Sequence, residues 1–368
     1  MKGSSAVLIV ICLFFAGVAS LRAQSSDPLS ARVDKRVELL TIVASLAEIK
    51  GFEIERNPKY AAAISKYFGP YRDHPLIKFL AKRKVKLDEA YWEFPAVAAH
   101  LSQPPALEAL VTYEITPDVD GWESRELFTQ DFVGLLRKFY VDAHCDKFFD
   151  EQDTYFRSVD REYGKVAVRI NQRWAERFFG LKTTEEYYPI LSLGMKDGAY
   201  MRVNFKNNYR HTVTIFTSPT FEKDGMPSNL ASPAIPKMML HEYIHAFTNQ
   251  LVDKHMKELQ APAEALLKDP VVAKRVANTF YDNWQYLLYE SMVRACYLKY
   301  LASNKGLSTD LEKDIEAQEK AGFLWIRDVI AALDRYERSQ ASYKDLDAFM
   351  PQITEVFQAA SRRYAQKR

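Results

Sequence analysis

Residues 238–250 read MMLHEYIHAFTNQ, and within them His241, Glu242 and His245 carry the spacing of a metal site with its own base. Two histidines four apart on a helix project from nearly the same face, so both imidazoles can reach one ion. Glu242 lies about 100° around the helix from His241. It is poorly placed as a third ligand of that ion but well placed to touch a water beside it. Imidazole-bound zinc acidifies water, and a carboxylate in that position can take the proton as the water attacks a carbonyl. The alternative is a pair of core histidines satisfied by neighbours, because any short motif arises by chance. Met238, Met239, Leu240, Ile244, Ala246 and Phe247 surround the motif. They imply a buried helix whose imidazoles and carboxylate need partners.

Zinc needs a third protein ligand. The motif continues as AFTNQLVDKH, which has no glycine to fold His255 back towards the pair, so a downstream glutamate is the alternative. Glu264 sits in LQAPAEALLKDP, between Pro262 and Pro270, and reads as solvated. Glu290 sits in WQYLLYESMVRACYLKYL, where a lone carboxylate is costly unless it meets a cation. Arg294, one turn on, could be that cation in a purely internal pair. We favour Glu290 as the ligand, with Arg294 orienting it. Tyr281, Tyr286, Tyr289, His255 and Arg294 are candidates to stabilise a tetrahedral oxyanion, and the sequence does not choose among them.

These side chains need a scaffold. Apolar spacing predicts helices over Val33–Ile49 and Tyr60–Phe68, one or two over Leu127–Gln152, and a long one over Thr154–Phe179. The period then changes: Tyr187–Leu193, Gly198–Phe205 and Arg210–Ser218 read as strands divided by turn residues. Helices follow over Pro236–Leu259, Val271–Ala302, Asp310–Tyr336 and Tyr343–Ala365. The expected class is α+β, mostly α, with a small, mainly antiparallel sheet against the motif helix and further C-terminal helices. Element order suggests that the strand GAYMRVNF is a sheet edge along which an extended peptide could lie.

Composition narrows the partners. The 368 residues include 50 Lys+Arg against 48 Asp+Glu, so no global field draws the chain to nucleic acid or an anionic membrane. No Gly-rich phosphate loop and no GxSxG elbow occurs. Lys2, the apolar run Ala6–Ala19 and the polar SLRAQSS read as a signal peptide over residues 1–23. The run is short of the ~20 residues a membrane-spanning helix needs. The expectation is therefore an exported protein, periplasmic or secreted, with no stable membrane span after cleavage. Residues 24–368 would form a single domain, helical over 24–185 and catalytic over 186–368. Cys145 and Cys296 remain after cleavage, and a bond between them is left open by the sequence.

LHEYIHAF followed by ESMVRA resembles the glutamate-ligated zincin metallopeptidases, the gluzincins. DKRVELLTIVASLA, YFGPYRDHP and WAERFFG resemble secreted bacterial proteins grouped as Domain of Unknown Function 4932. The resemblance implies a zincin-like fold, Zn2+ held by His241, His245 and Glu290, Glu242 as general base, and a peptide or protein substrate. A different expectation is a catalytically silent binding protein of the cell envelope that keeps the scaffold. The intact Glu242 argues against it, since binding alone does not require a base.

Overall fold

The computed structural model describes residues 31–113, 127–167, 171–180, 186–196, 198–204, 210–217, 220–228, 230–277, 279–304, 306–308 and 310–365. The expected signal peptide lies outside them. Among the described residues no helix is long and apolar enough to cross a membrane.

The described residues are mostly helical around one four-stranded sheet. Strands β1 (Arg32–Val33), β2 (Glu186–Ser192), β3 (Ala199–Asn204) and β4 (Arg210–Thr217) lie in the order β1-β2-β4-β3. This corrects the mainly antiparallel sheet expected from sequence. β1 pairs with β2 and β2 with β4 in parallel, and only β3 and β4 are antiparallel. Short turns between strands suggest successive hairpins. Here the chain leaving β2 instead passes beyond the position β4 will take, so β4 inserts between its predecessors. β3 is left at the edge, as element order suggested.

Before the sheet come α1 (Lys35–Leu46), α2 (Pro58–Phe68), α3 (Pro75–Ala81), α4 (Lys84–Glu89) and α5 (Glu93–Ala99). They are followed by α6 (Gln130–Asp142), α7 (Cys145–Ala167) and α8 (Gln172–Phe179). The Asp34 carboxylate opens α1 by accepting the Arg36 N–H at 2.8 Å, and the helix is buried nearly all round, Glu38 and Thr41 included. α1 packs on β2, α5 on β3, and α7 on β1. Asn171 interrupts the single long helix expected over Thr154–Phe179, and its N–H donates to the Tyr300 hydroxyl at 2.6 Å.

After the sheet come α9 (Ala234–Lys254), α10 (Met256–Leu267), α11 (Pro270–Val276), α12 (Trp284–Ser303), α13 (Leu311–Lys320), α14 (Ile326–Arg338) and α15 (Leu346–Ala365). α9 lies against β3 and β4 on one side and α12 on another. Phe247 of α9 stacks on Phe179 of α8, with ring centroids 4.6 Å apart.

Three long helices expected here are each divided. The motif helix ends at His255, whose imidazole meets Asp347 Oδ1 at 2.9 Å, instead of running to Leu259. The helix expected over Val271–Ala302 breaks between Ala277 and Asn283. The Asn283 side chain restarts it by accepting the Gln285 N–H at 2.8 Å. α13 closes at Gly322, whose φ of +112° suits glycine. Gly322 N–H bonds Glu319 O and Phe323 N–H bonds Gln318 O, the paired closure of a Schellman turn. Each break reorients the chain beside the motif.

Candidate metal centre

Most of α9 is buried, and its packing against α12, β3 and β4 fixes the direction of the motif. His245 is buried, while His241 and Glu242 are partly covered. Donor atoms of these three side chains lie within 4.8 Å of one another. The imidazole rings meet edge to face at 4.9 Å. Tyr297 packs near His241, ring centroids 6.3 Å apart.

Asn283 starts α12 so that Glu290 falls in its second turn, facing α9. Glu290 Oε1 lies 3.3 Å from His245 Nε2, and Oε2 lies 3.5 Å from His241 Nε2. Charge-assisted hydrogen bonds are shorter, about 2.7–2.9 Å. Four ligands at ~2.0–2.1 Å around a tetrahedral ion would stand about 3.3 Å apart. The two imidazoles and the carboxylate are thus spaced as a set that could hold one metal ion.

Two contacts orient this set. His245 Nδ1 is 3.1 Å from Asn249 Oδ1, an acceptor for an Nδ1 proton, which would leave Nε2, the nitrogen beside Glu290, available to an ion. Arg294 donates from Nε to Glu290 Oε2 at 3.0 Å, and its Nη2 is 2.8 Å from the same oxygen. Burial alone would oppose ionisation of Glu290, but His241 and His245 hold its carboxyl well below the ordinary range. Burial likewise disfavours the His245 cation, and the Glu290 carboxylate reverses this and raises the imidazole.

The other sequence candidates separate cleanly. Glu264 lies on α10, where its carboxylate accepts from Gln260 Nε2 at 2.8 Å, and it does not join the cluster. Tyr289 donates to Asp253, and His255 pairs with Asp347. Tyr281 belongs to the centre. Its hydroxyl accepts from Arg294 Nη2 at 3.2 Å, and burial, then the Glu290 charge, push its phenol up, so it stays protonated. Tyr286 is partly buried and stacks edge to face on Tyr289. Cys145 and Cys296 are buried free thiols, so they form no disulfide.

Sequence reasoning missed Asn249 and Gln318, which accepts from Arg294 Nη1. Asn249 could have been found as a polar residue one turn after His245 on an apolar helix. Gln318 sits on a different helix and carries no such signal. Gly198, just before β3, was read only as strand. A Cβ there would stand 3.0 Å from Ile215 O and 4.0 Å from Glu242 Oε1, so the bare backbone lets the edge strand approach the base.

No curated protein and no solved structure matches the chain. The family model Domain of unknown function (DUF4932) matches residues 29–356, nearly the whole described chain, and the protein belongs to that family.

Proposed function

We propose that this protein is an exported, zinc-dependent metallopeptidase of zincin type, with His241, His245 and Glu290 as ligands and Glu242 as general base. The observation that carries the reading is the approach of Glu290, from a separate helix, to within 3.5 Å of both motif imidazoles. Bound there, zinc would supply Lewis acidity to a substrate carbonyl and to a neighbouring water. Glu242 has no hydrogen bond among the described residues and is partly open, so it can accept the proton of the attacking water and pass it to the leaving amine. Arg294 donates to the oxygen of Tyr281, which leaves the phenolic proton to donate where charge develops on the carbonyl oxygen. β3 pairs only with β4 among the described residues, and its other edge suits an extended peptide added as a further strand.

The test is metal analysis and a peptide-library screen of the purified mature chain. About one zinc per chain, lost in His245→Ala and Glu290→Ala but kept in Glu264→Ala, is expected. Glu242→Gln should keep the zinc and lose about 10²–10⁴ of any hydrolysis. A wild type that binds no zinc after reconstitution sinks the reading. Zinc without cleavage of any library peptide would leave a binding scaffold in its place.

A further inference from the structure

Arg294 is held on every side. Nε and Nη2 engage Glu290 Oε2, Nη2 also meets the Tyr281 hydroxyl, and Nη1 donates to Gln318 Oε1. The guanidinium carbon lies 4.5 Å from the Phe323 ring centroid and 5.3 Å from that of Tyr281. Gln318 and Phe323 arrive together, because the turn at Gly322 bonds Phe323 N–H to Gln318 O. Gln318 is itself fixed, its Nε2 donating to Asp314 O at 3.4 Å.

α13 is also fastened to α9 independently of Gln318. The Asp314 carboxylate accepts Lys237 Nζ at 2.8 and 3.0 Å and the Ser308 hydroxyl at 2.6 Å. Lys237 stands one turn before His241, and Arg294 one turn after Glu290. One short helix therefore ties together the two helices that bear the proposed ligands, and it carries no proposed ligand itself.

We infer that Gln318 is a positioning residue for Glu290. It fixes the Arg294 guanidinium so that Oε2 is held by the Nε hydrogen bond and the Nη2 ion pair and Oε1 is the oxygen presented to the ion. Without an acceptor at 318, Nη1 is left half-buried without that partner, and the guanidinium can turn away from Oε2. The carboxylate then loses its fixed orientation. Outer partners of this kind alter metal affinity by about 10–100-fold. The inference rests on the zinc-site reading above, not on peptidase activity.

The experiment uses the mature full chain loaded with zinc against a competing chelator, and with cobalt(II) for its visible ligand-field spectrum. Gln318→Ala should weaken zinc by about tenfold or more and change the cobalt spectrum. Gln318→Glu, which keeps an acceptor oxygen, should restore both. Asp314→Ala serves as the control for loosened packing: it should lower the melting temperature at least as much as Gln318→Ala and leave the cobalt spectrum unchanged. Wild-type affinity and spectrum in Gln318→Ala, equal damage in Gln318→Glu, or the same spectral change in Asp314→Ala would each overturn the inference while the zinc site stood. A wild type that takes up neither metal would remove the zinc site and the inference together.

Discussion

Two buried glutamates, Glu38 on α1 and Glu290 on α12, occupy opposite electrostatic states. Both project from helices apolar nearly all round, and both are withdrawn from water. Glu290 meets two imidazoles and a guanidinium and is held ionised. Glu38 meets one backbone donor, Leu193 N–H at 2.9 Å, and its other oxygen has no hydrogen-bond partner. Burial pushes its carboxyl up to about 8. The Leu193 N–H and the Tyr60 and Ser192 hydroxyls offset only part of that desolvation, the Asp34 charge adds to it, and no cation is among the groups acting on the carboxyl. Burial is common to the two sites, and the neighbours decide the charge.

The same isosteric change should therefore have opposite signs at the two positions. Glu290→Gln leaves the half-buried Arg294 without its anion, which costs at most about 3–5 kcal/mol. Urea unfolding should register that loss, and zinc uptake should fail. A variant as stable as wild type would mean that the imidazoles and Arg294 do not hold Glu290 ionised.

Glu38→Gln should stabilise the protein at neutral and higher pH. The folded carboxyl holds its proton to about pH 8, whereas the unfolded one releases it near the ordinary 4.5. The native state thus binds more protons across that window, and wild-type stability falls as pH rises through it. The gain in Glu38→Gln should be near zero below pH 4.5 and reach a few kcal/mol by pH 8. A pH-independent difference between the two proteins would refute the assignment.

Smaller effects test the neighbours of Glu290. Tyr281→Phe removes the donor proposed for the oxyanion, so kcat should fall about a hundredfold with KM and zinc content little changed. A loss confined to KM would make Tyr281 a binding residue. Asn249→Leu frees the Nδ1 proton of His245 and should weaken zinc about tenfold in chelator competition. No change there would mean that packing alone orients the ring.

The cost of a lone carboxylate in an apolar helix singled out Glu290. The same premise applies to Glu38 in DKRVELLTIVASLA, which meets no cation. Spacing within one helix was enough for His241, Glu242, His245 and the Glu290–Arg294 pair, because a regular helix converts separation along the chain into direction. The divisions at Asn283 and Gly322 carried local signals, an N-capping side chain and a glycine closure, and were read through as continuous helix. Strand spans were legible from their period, but their partners were not. Alternation specifies which face of a strand is apolar, not whether its neighbour runs parallel.

Sequence by itself determined the motif on its helix, the glutamate one turn before an arginine, the three later strands and the mostly helical class. Tertiary structure alone decided how Glu290, already favoured over Glu264, reaches both imidazoles, that Tyr281 and not Tyr289 faces the centre, and that Gln318 braces Arg294. The physical reason is that these relations join separate helices. Their geometry is set by how apolar faces pack and where the turns between them bend, and no local periodicity records either.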